Sequence, residues 1–196
     1  PSVCPSDGSA VIREGVAFRC SSSTCGARTR EQLYHMVSRG ALNIEGLGPK
    51  IIDRLFDEGL ISDAADLFTL REGDISALER FGEKSATNLV HELSVKKNID
   101  LDRFIYSLGI VHVGEETARI LTKFLISNFQ FLIEKPKEVG EKLRKLSIEN
   151  LQDLNDIGPV VAKSIYDWFR NARNIKLLEK FDRVGIRLQA ITYNLE

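Results

Sequence analysis

Ile44-Glu45-Gly46-Leu47-Gly48-Pro49-Lys50 is the stretch that decides the fold of this 196-residue chain. Two glycines stand two residues apart, and Pro49 follows at the position of a first helical residue, where its fixed φ suits a helix and its missing amide proton costs nothing. Glycine adopts positive φ angles that other residues avoid, so both glycines are expected to turn the backbone tightly. The stretch therefore predicts a hairpin whose amide N–H groups point outward from a helix start, an arrangement that suits a phosphate.

The same frame returns three times along the chain. The further copies are Leu78-Glu79-Arg80-Phe81-Gly82, Ile110-Val111-His112-Val113-Gly114 and Leu154-Asn155-Asp156-Ile157-Gly158. The closing glycines are 34, 32 and 44 residues apart, and four residues beyond them stand Ile52, Ala86, Ala118 and Ala162. A small side chain at that position lets two helices approach closely. The first glycine of the frame, Gly46, is present only in the first copy. Repetition at such spacings is the mark of a repeated structural unit, and we interpret the four copies as helix-hairpin-helix units.

Helical periodicity after the first thirty residues predicts a mainly α protein with four helix-hairpin-helix motifs in a compact all-helical domain. We expect this domain to cover residues 29–185, with a small β-hairpin zinc ribbon over 1–28 before it and a linker or tail over 186–196 after it. Thr29-Arg30-Glu31-Gln32 has the spacing of a capping box and is expected to open the first helix. No strand pattern of any length is visible after residue 20.

The composition limits the possible functions. With 43% hydrophobic residues the chain can hold one domain and a small annex, and no apolar run is long enough to span a bilayer. The sequence begins at Pro1 and its one methionine is Met36, so we expect a piece of a longer protein. We expect that protein to be cytoplasmic and monomeric. The formal net charge of −1 argues against binding nucleic acid by bulk charge. Any grip on DNA must then come from local geometry.

The three cysteines all lie within the first 25 residues, and their odd number does not suggest a disulfide framework. Cys4, Cys20 and Cys25 flank a predicted β-hairpin that turns at Glu14-Gly15, which is the layout of a zinc ribbon. Asp7 stands where a second ligand of the first knuckle would be. We expect one zinc ion bound by the three thiolates, with Asp7 or a water completing the shell. The alternative is a metal-free annex with three unused thiols.

A cysteine ribbon that leads straight into four such hairpins resembles the middle of bacterial NAD-dependent DNA ligase. Three strings carry the resemblance, which extends from Cys4 to about Gly185. They are Val37-Ser38-Arg39-Gly40-Ala41-Leu42-Asn43-Ile44-Glu45-Gly46-Leu47-Gly48, Leu78-Glu79-Arg80-Phe81-Gly82-Glu83-Lys84-Ser85-Ala86 and Leu108-Gly109-Ile110-Val111-His112-Val113-Gly114-Glu115. The resemblance implies a protein that seals nicks in duplex DNA, in replication and repair, after adenylating itself with NAD. It also implies that the hairpins hold the minor-groove side of the nicked duplex.

Two departures from that family limit what the chain does alone. Asp7 replaces the family's usual second cysteine, which predicts weaker metal binding. No Lys-x-Asp-Gly string is present to supply the adenylation lysine, and the adenylation, OB-fold and BRCT domains of the family have no counterpart here. NAD and Mg²⁺ would therefore act only through those other domains. We expect the chain to be the DNA-grasping part of the enzyme, inactive alone and with no catalytic residue of its own.

Nine residues are predicted to touch DNA. The backbone amides of the hairpin glycines are expected to contact phosphates, and side chains early in the second helices are expected to add contacts. The predicted set is Gly46, Gly48, Lys50, Gly82, Lys84, Gly114, Thr117, Gly158 and Lys163. Phosphate contacts position a protein without reading sequence, which a nick-sealing enzyme needs. The alternatives for single residues are solvated helix faces for the lysines and simple tight turns for the glycines. The alternative function is a non-enzymatic scaffold that binds DNA structures. A nuclease is not indicated, because the sequence has no clustered carboxylate motif that could bind magnesium.

Overall fold

The fold is built from short helices that begin where a proline, glycine or small polar residue breaks the chain. The structure, a computed structural model, describes residues 2–14, 17–22, 24–78, 81–128 and 133–189. The helices are α1 Gly26–Val37, α2 Pro49–Asp57, a 3₁₀ helix Ala64–Thr69, α3 Glu72–Ser76, α4 Glu83–Val95, α5 Leu101–Ser107, α6 Glu115–Asn128, α7 Pro136–Leu143, α8 Ile148–Gln152, α9 Pro159–Trp168 and α10 Ala172–Arg183. The strands are β1 Val11–Glu14, β2 Ala17–Cys20, β3 Asn98–Asp100 and β4 Arg187–Gln189.

The annex ends at Cys25, and the regular structure in its described residues is the predicted β-hairpin. Strands β1 and β2 pair antiparallel, with Val11 opposite Cys20 and Arg13 opposite Phe18. The predicted turn at residues 15 and 16 lies outside the described residues. Ile12 and Phe18 expose 46% and 60% of their surface, so the hairpin buries little apolar area. The annex must therefore be held by something other than a hydrophobic core.

Helix α1 begins four residues earlier than the capping box predicts, because its N-cap is Cys25 and not Thr29. Cys25 is its N-cap residue, and the Thr29 hydroxyl donates to the Cys25 carbonyl at 3.2 Å from inside the first turn. Thr29 lies inside α1 and is buried. It is therefore not the N-cap, and the predicted start of the helix was wrong. The consequence is that the last cysteine is attached directly to the helical domain.

The helical domain packs around the small residues that follow each hairpin. Ile52, Ala86, Ala118 and Ala162 are all completely buried, as the spacing of the repeats predicts. A second part of the core joins distant segments, because Phe181 of α10 makes edge-to-face contacts with Phe104 and Phe68, at 5.6 and 6.4 Å between ring centroids. These helices, with the hairpin of β1 and β2 before them, confirm the predicted mainly helical fold with a small N-terminal β-hairpin.

Two short strands contradict the expectation that no strand follows residue 20. Strands β3 and β4 pair in parallel, with Ile99 opposite Leu188. Ile186 is completely buried and Leu188 nearly so. Residues 186–189, which the sequence analysis assigned to the tail, therefore pack with the helical domain, and 190–196 lie outside the described residues. Among the described residues no helix is long and apolar enough to cross a membrane.

Candidate nucleic-acid interface and metal centre

Each of the four hairpins is closed by a tight turn in which a backbone N–H donates to the carbonyl three residues earlier. The N···O pairs are Leu47 to Ile44 at 3.4 Å, Phe81 to Leu78 at 3.0 Å, Val113 to Ile110 at 3.0 Å and Ile157 to Leu154 at 3.2 Å. The third turn residue has a positive φ in hairpins 1, 3 and 4: 79° at Gly46, 66° at His112 and 62° at Asp156. Its equivalent in hairpin 2 lies outside the described residues. Histidine and aspartate enter this region more readily than most residues, so the replacements of the first glycine keep the same turn.

The closing glycines do not have the positive φ that the sequence analysis assigned to them. Gly48, Gly82 and Gly158 are N-cap residues with φ of −90°, −79° and −76°, and Gly114 is also outside the left-handed region. A Cβ built on any of the four would meet no heavy atom within 4 Å. Neither backbone conformation nor internal packing requires glycine there. What glycine provides at these positions is open space directly in front of a helix start.

Three of the helix starts behind these glycines have no side-chain cap. No side chain caps α2, α4 or α9, whereas the 3₁₀ helix, α8 and α10 are capped by Asp63, Ser147 and Asn171. The first N–H groups of a helix have no intrahelical acceptor and carry the positive end of the helix dipole. Uncapped starts fronted by glycine can therefore accept an anion at close range.

The predicted side-chain contacts are placed unequally. Lys50 and Lys84 are exposed at the second position of α2 and α4, and neither has a partner among the described residues. Lys163 is exposed too, but its ammonium lies 2.6 Å from Asp167 one turn along α9. Thr117 in α6 is half-buried, so it is less accessible than the lysines. The two free lysines are the better placed of the four for a phosphate.

Acidic residues divide the hairpins into two kinds. Helices α2 and α9 begin with proline and have no acid in their first turn. Helix α4 instead begins with Glu83, and α6 begins with Glu115 and Glu116. A carboxylate in the first turn favours the helix through its dipole but repels an incoming phosphate. We call hairpins 1 and 4 the Gly-Pro hairpins and hairpins 2 and 3 the Gly-Glu hairpins.

The hairpins lie together in pairs that follow the chain. In the first pair, the Glu45 N–H donates to the Glu92 carboxylate at 3.2 Å, and Gly46 and Phe81 line one cavity of about 600 Å³. In the second pair, the His112 ring nitrogen lies 3.1 Å from the Ser164 hydroxyl of α9. Each pair thus contains one Gly-Pro and one Gly-Glu hairpin. This pairing was not evident in the sequence, because one partner in each hydrogen bond, Glu92 or Ser164, lies outside the repeated frame.

The predicted metal ligands come together in the annex. One ligand atom from each of Cys4, Asp7, Cys20 and Cys25 lies within 4.8 Å of the others. The Cys4 and Cys25 sulfurs are 3.8 Å apart, and the Cys20 sulfur is 3.5 Å from an Asp7 oxygen. A tetrahedral site with Zn–S of about 2.3 Å and Zn–O of about 2.0–2.2 Å requires S···S near 3.8 Å and S···O near 3.5 Å. These two distances match such a site, and the remaining ligand pairs lie within 4.8 Å.

The charges of this cluster depend on its neighbours. The Ser9 backbone N–H, 3.0 Å from Asp7, lowers the pKa of the Asp7 carboxyl to about 2. The Arg28 backbone N–H at the start of α1 lowers the pKa of the Cys25 thiol. Desolvation raises the pKa of the Cys20 thiol to about 11. Asp7 is therefore an anion before any cation arrives, Cys25 loses its proton more readily than an ordinary thiol, and Cys20 would lose its proton on binding a cation.

His35 of α1 makes its contacts away from the metal cluster. Its Nε2 lies 2.8 Å from the Tyr106 carbonyl, and its ring packs edge-on against Tyr106 with centroids 4.7 Å apart. The histidine joins α1 to α5 and is not among the residues of the metal cluster.

Comparison with known sequences finds similarity to helix-hairpin-helix families and to DNA ligases. A family described as a SAM-like helix-hairpin-helix tandem matches residues 38–94, and one described as a helix-hairpin-helix motif matches residues 103–178. The DNA ligase of Halothermothrix orenii is 41% identical over 192 residues, which is 96% of this chain and 27% of the relative. The DNA ligases of Desulfitobacterium hafniense (strain DSM 10664 / DCB-2) and Bacillus mycoides are each 40% identical over 97% and 96% of the chain. The resemblance to DNA ligase is confirmed, and the chain corresponds to about a quarter of those relatives.

Proposed function

We propose that this chain is the part of an NAD-dependent DNA ligase that holds nicked duplex DNA by its phosphates, without reading base sequence. Two observations support the proposal. The chain is similar along almost its whole length to a segment of proteins named DNA ligase, and its closing glycines leave space in front of helix starts where no internal constraint calls for glycine. The second observation carries the proposal, because an open helix start is the kind of site that a phosphate can occupy.

In this proposal the chain does not catalyse nick sealing alone. NAD and Mg²⁺ act in the adenylation domain of the parent protein, and OB-fold and BRCT domains complete a clamp around the DNA. The chain contains no Lys-x-Asp-Gly string for adenylation. In this proposal the parent ligase is a monomeric cytoplasmic protein, and this chain is its middle part. A non-enzymatic scaffold would offer similar hairpins, but the ligase relatives favour the enzyme.

Titration of the chain onto unrelated duplexes at several salt concentrations tests the proposal. We expect equal affinity for all sequences and a log–log salt slope of about −0.9 for each neutralised phosphate. A strong preference for one sequence, or binding that salt does not weaken, would contradict it. A blunt, nicked and gapped duplex of equal length distinguishes recognition of the nick from binding to any duplex.

We also infer that the annex holds one zinc ion through Cys4, Cys20, Cys25 and Asp7. The distances in the cluster support this, as does the exposure of the hairpin's apolar residues, because an annex with little core needs another source of stability. Bound zinc would have a structural role, joining β2 to the start of α1 through Cys20 and Cys25. Elemental analysis of protein purified without chelator should give one zinc per chain.

Two variants measure the contribution of the unusual ligand. Asp7→Cys should bind zinc more tightly, because a fourth thiolate is the commoner donor, and Asp7→Ala should bind it more weakly. Cobalt substitution reports the number of thiolates by the intensity of sulfur-to-metal charge transfer. Zinc-free protein whose residues 2–25 keep their structure, shown by unchanged amide resonances, would mean that the annex needs no metal.

A further inference from the structure

A groove lies between α1 and α10, away from the hairpin turns. It encloses about 490 Å³ and is lined also by the ends of α5 and α9. Its floor is apolar, since Leu33, Met36 and Leu108 are buried there. This volume is in the range of small-ligand sites, which are typically about 300–1,000 Å³ with an apolar lining and a few polar groups.

The charge of the groove is opposite to that of the chain as a whole. Its lining contains five cationic residues, Arg28, Arg173, Lys176, Lys180 and Arg183, and a single acid, Asp63. Asp63 is already 2.7 Å from Lys180. Lys176 and Arg183 are exposed and have no partner among the described residues. The net charge of the chain is −1, so this concentration of cations is local and favours an anionic ligand.

The cations are arranged as a line. Arg173, Lys176, Lys180 and Arg183 lie along α10 at helical spacing, and the line is about 15 Å long at 1.5 Å per residue. Such a line suits an extended polyanion better than one compact anion. The length corresponds to a few phosphates of a nucleic-acid strand.

An aromatic ring stands beside this line. Trp168, the only tryptophan of the chain, lines the groove at the end of α9 and is half-buried. Its other contacts hold it in place, because it packs edge-on against Phe169 at 4.7 Å between ring centroids. Cations that follow a backbone, together with an aromatic ring on which a base can stack, are the two elements by which proteins bind single-stranded nucleic acid.

We infer that this groove holds an unpaired segment of nucleic acid, with a base against Trp168 and phosphates on Lys176, Arg183 and Arg173. The inference rests on the proposed nucleic-acid function and adds a second site to it. A duplex cannot use the groove in this way, because its bases are paired and stacked inside the helix. Trp168 follows Gly158 by ten residues of α9, so the site is about 15 Å from the turn of hairpin 4. An unpaired end or flap could therefore occupy it while the hairpins hold the duplex.

Because Trp168 is unique, its fluorescence reports the groove directly. We expect hexathymidylate to quench it, with quenching that weakens as salt is raised by a log–log slope of about −0.7 for each phosphate contacted. A Trp168→Leu variant, followed with a fluorescein-labelled hexathymidylate, should bind about 5- to 100-fold more weakly through loss of base stacking. Its thermal unfolding is measured in parallel, so that loss of fold is recognised.

A matched pair of charge reversals separates the groove from general electrostatics. Lys176→Glu with Arg183→Glu should abolish the quenching by hexathymidylate but leave affinity for a blunt duplex within about twofold. Arg144→Glu with Lys145→Glu changes the same residue types at exposed positions beyond α7, and it should leave both binding events unchanged. Equal loss of hexathymidylate binding in both double variants would overturn the inference.

Three other results are decisive. If hexathymidylate does not quench Trp168 while duplexes still bind, the groove inference is wrong and the proposed function stands. If duplexes do not bind at all, the proposed function fails. If a hexaglutamate peptide quenches Trp168 as strongly as hexathymidylate, the groove is a general polyanion or acidic-peptide site, and the assignment to nucleic acid is overturned.

Discussion

The Gly-Pro and Gly-Glu hairpins are closed by the same backbone hydrogen bond but present different electrostatic surfaces. Hairpins 1 and 4 place an uncapped helix start behind a bare glycine with no acid in the first turn. Hairpins 2 and 3 place one or two carboxylates at the same point. Carboxylates there stabilise the helix and oppose an anion, so one residue changes local stability and phosphate binding in opposite directions. The repeat therefore conserves a shape, and we expect the Gly-Pro hairpins to make the stronger phosphate contacts.

The largest difference should come from filling the space in front of the Gly-Pro helices. Gly48→Val with Gly158→Val places a side chain where a phosphate would approach, and hydrogen bonds to a charged group contribute about 1.5–3 kcal/mol each. We expect duplex affinity, measured by fluorescence anisotropy, to fall by about 10- to 100-fold for each hairpin. The free energy of unfolding should change by only about 1 kcal/mol per site, the ordinary N-cap penalty, because no strain is relieved or created there.

The equivalent change in hairpins 2 and 3 is the control for that result. Gly82→Val with Gly114→Val should reduce affinity clearly less. If the two double variants lose the same affinity, the first-turn carboxylates do not matter and the distinction between the two kinds of hairpin is wrong.

The next largest effect concerns the shared turn itself. Asp156 has a φ of 62°, and Asp156→Val puts a β-branched residue into the left-handed region, which should lower the free energy of unfolding by about 1–2 kcal/mol. Asp156→Gly should not destabilise the protein, because glycine holds that position in hairpin 1. Chemical denaturation, fitted with the same dependence on denaturant concentration for all variants, measures the free energy of unfolding of both. A neutral effect of valine would show that the turn relaxes without its positive φ.

Reversing the charges of the Gly-Glu hairpins should make them resemble the Gly-Pro hairpins. Glu83→Lys and Glu116→Lys should each raise duplex affinity several-fold at low salt, while removal of a favourable dipole interaction lowers the free energy of unfolding by about 0.3–1 kcal/mol. Glu58→Lys at the C-terminal end of α2 is the control, since it adds the same charge away from a helix start. Equal gains in affinity from all three variants would indicate bulk charge instead of local geometry.

The smallest difference is expected between two lysines of the Gly-Pro hairpins. Lys50→Ala should weaken binding a few-fold and reduce the log–log salt slope by about 0.9, the loss of one phosphate contact. Lys163→Ala should have a smaller effect, because Lys163 already faces Asp167 at 2.6 Å. Both are exposed, so stability should hardly change. A larger loss at Lys163 would mean that the ion pair opens when DNA binds.

Much of the fold could be predicted because glycine spacing and buried small residues are local signals. The sequence analysis expected positive φ at both glycine positions, however, whereas in hairpins 1, 3 and 4 only the first position has it and the closing glycine does not. The sequence concealed this, since His112 and Asp156 fill the left-handed position in later copies. The start of α1 was misplaced for a similar reason, because a cysteine that also belongs to the metal cluster serves as its N-cap.

Features that depend on distant residues could not be predicted in the same way. Strands β3 and β4 have three residues each, which is too short for an alternating pattern to be detected. The groove beside Trp168 needs α1 and α10 side by side, and these helices lie more than 130 residues apart in the sequence. The metal cluster was predictable because its four ligands lie within 25 residues and have a recognisable spacing.

The pairing of β3 with β4 also sets the order in which the chain can finish folding. Residues 97–100 lie between the two hairpin pairs, and their partners are at 187–189, with the Arg187 N–H donating to the Lys97 carbonyl at 2.8 Å. During synthesis the first pair of hairpins emerges long before that partner exists. Contacts of such long sequence separation form late and slow the folding reaction. The pairing of β3 with β4 can therefore be completed only after residue 189 has been synthesised, long after the first pair of hairpins.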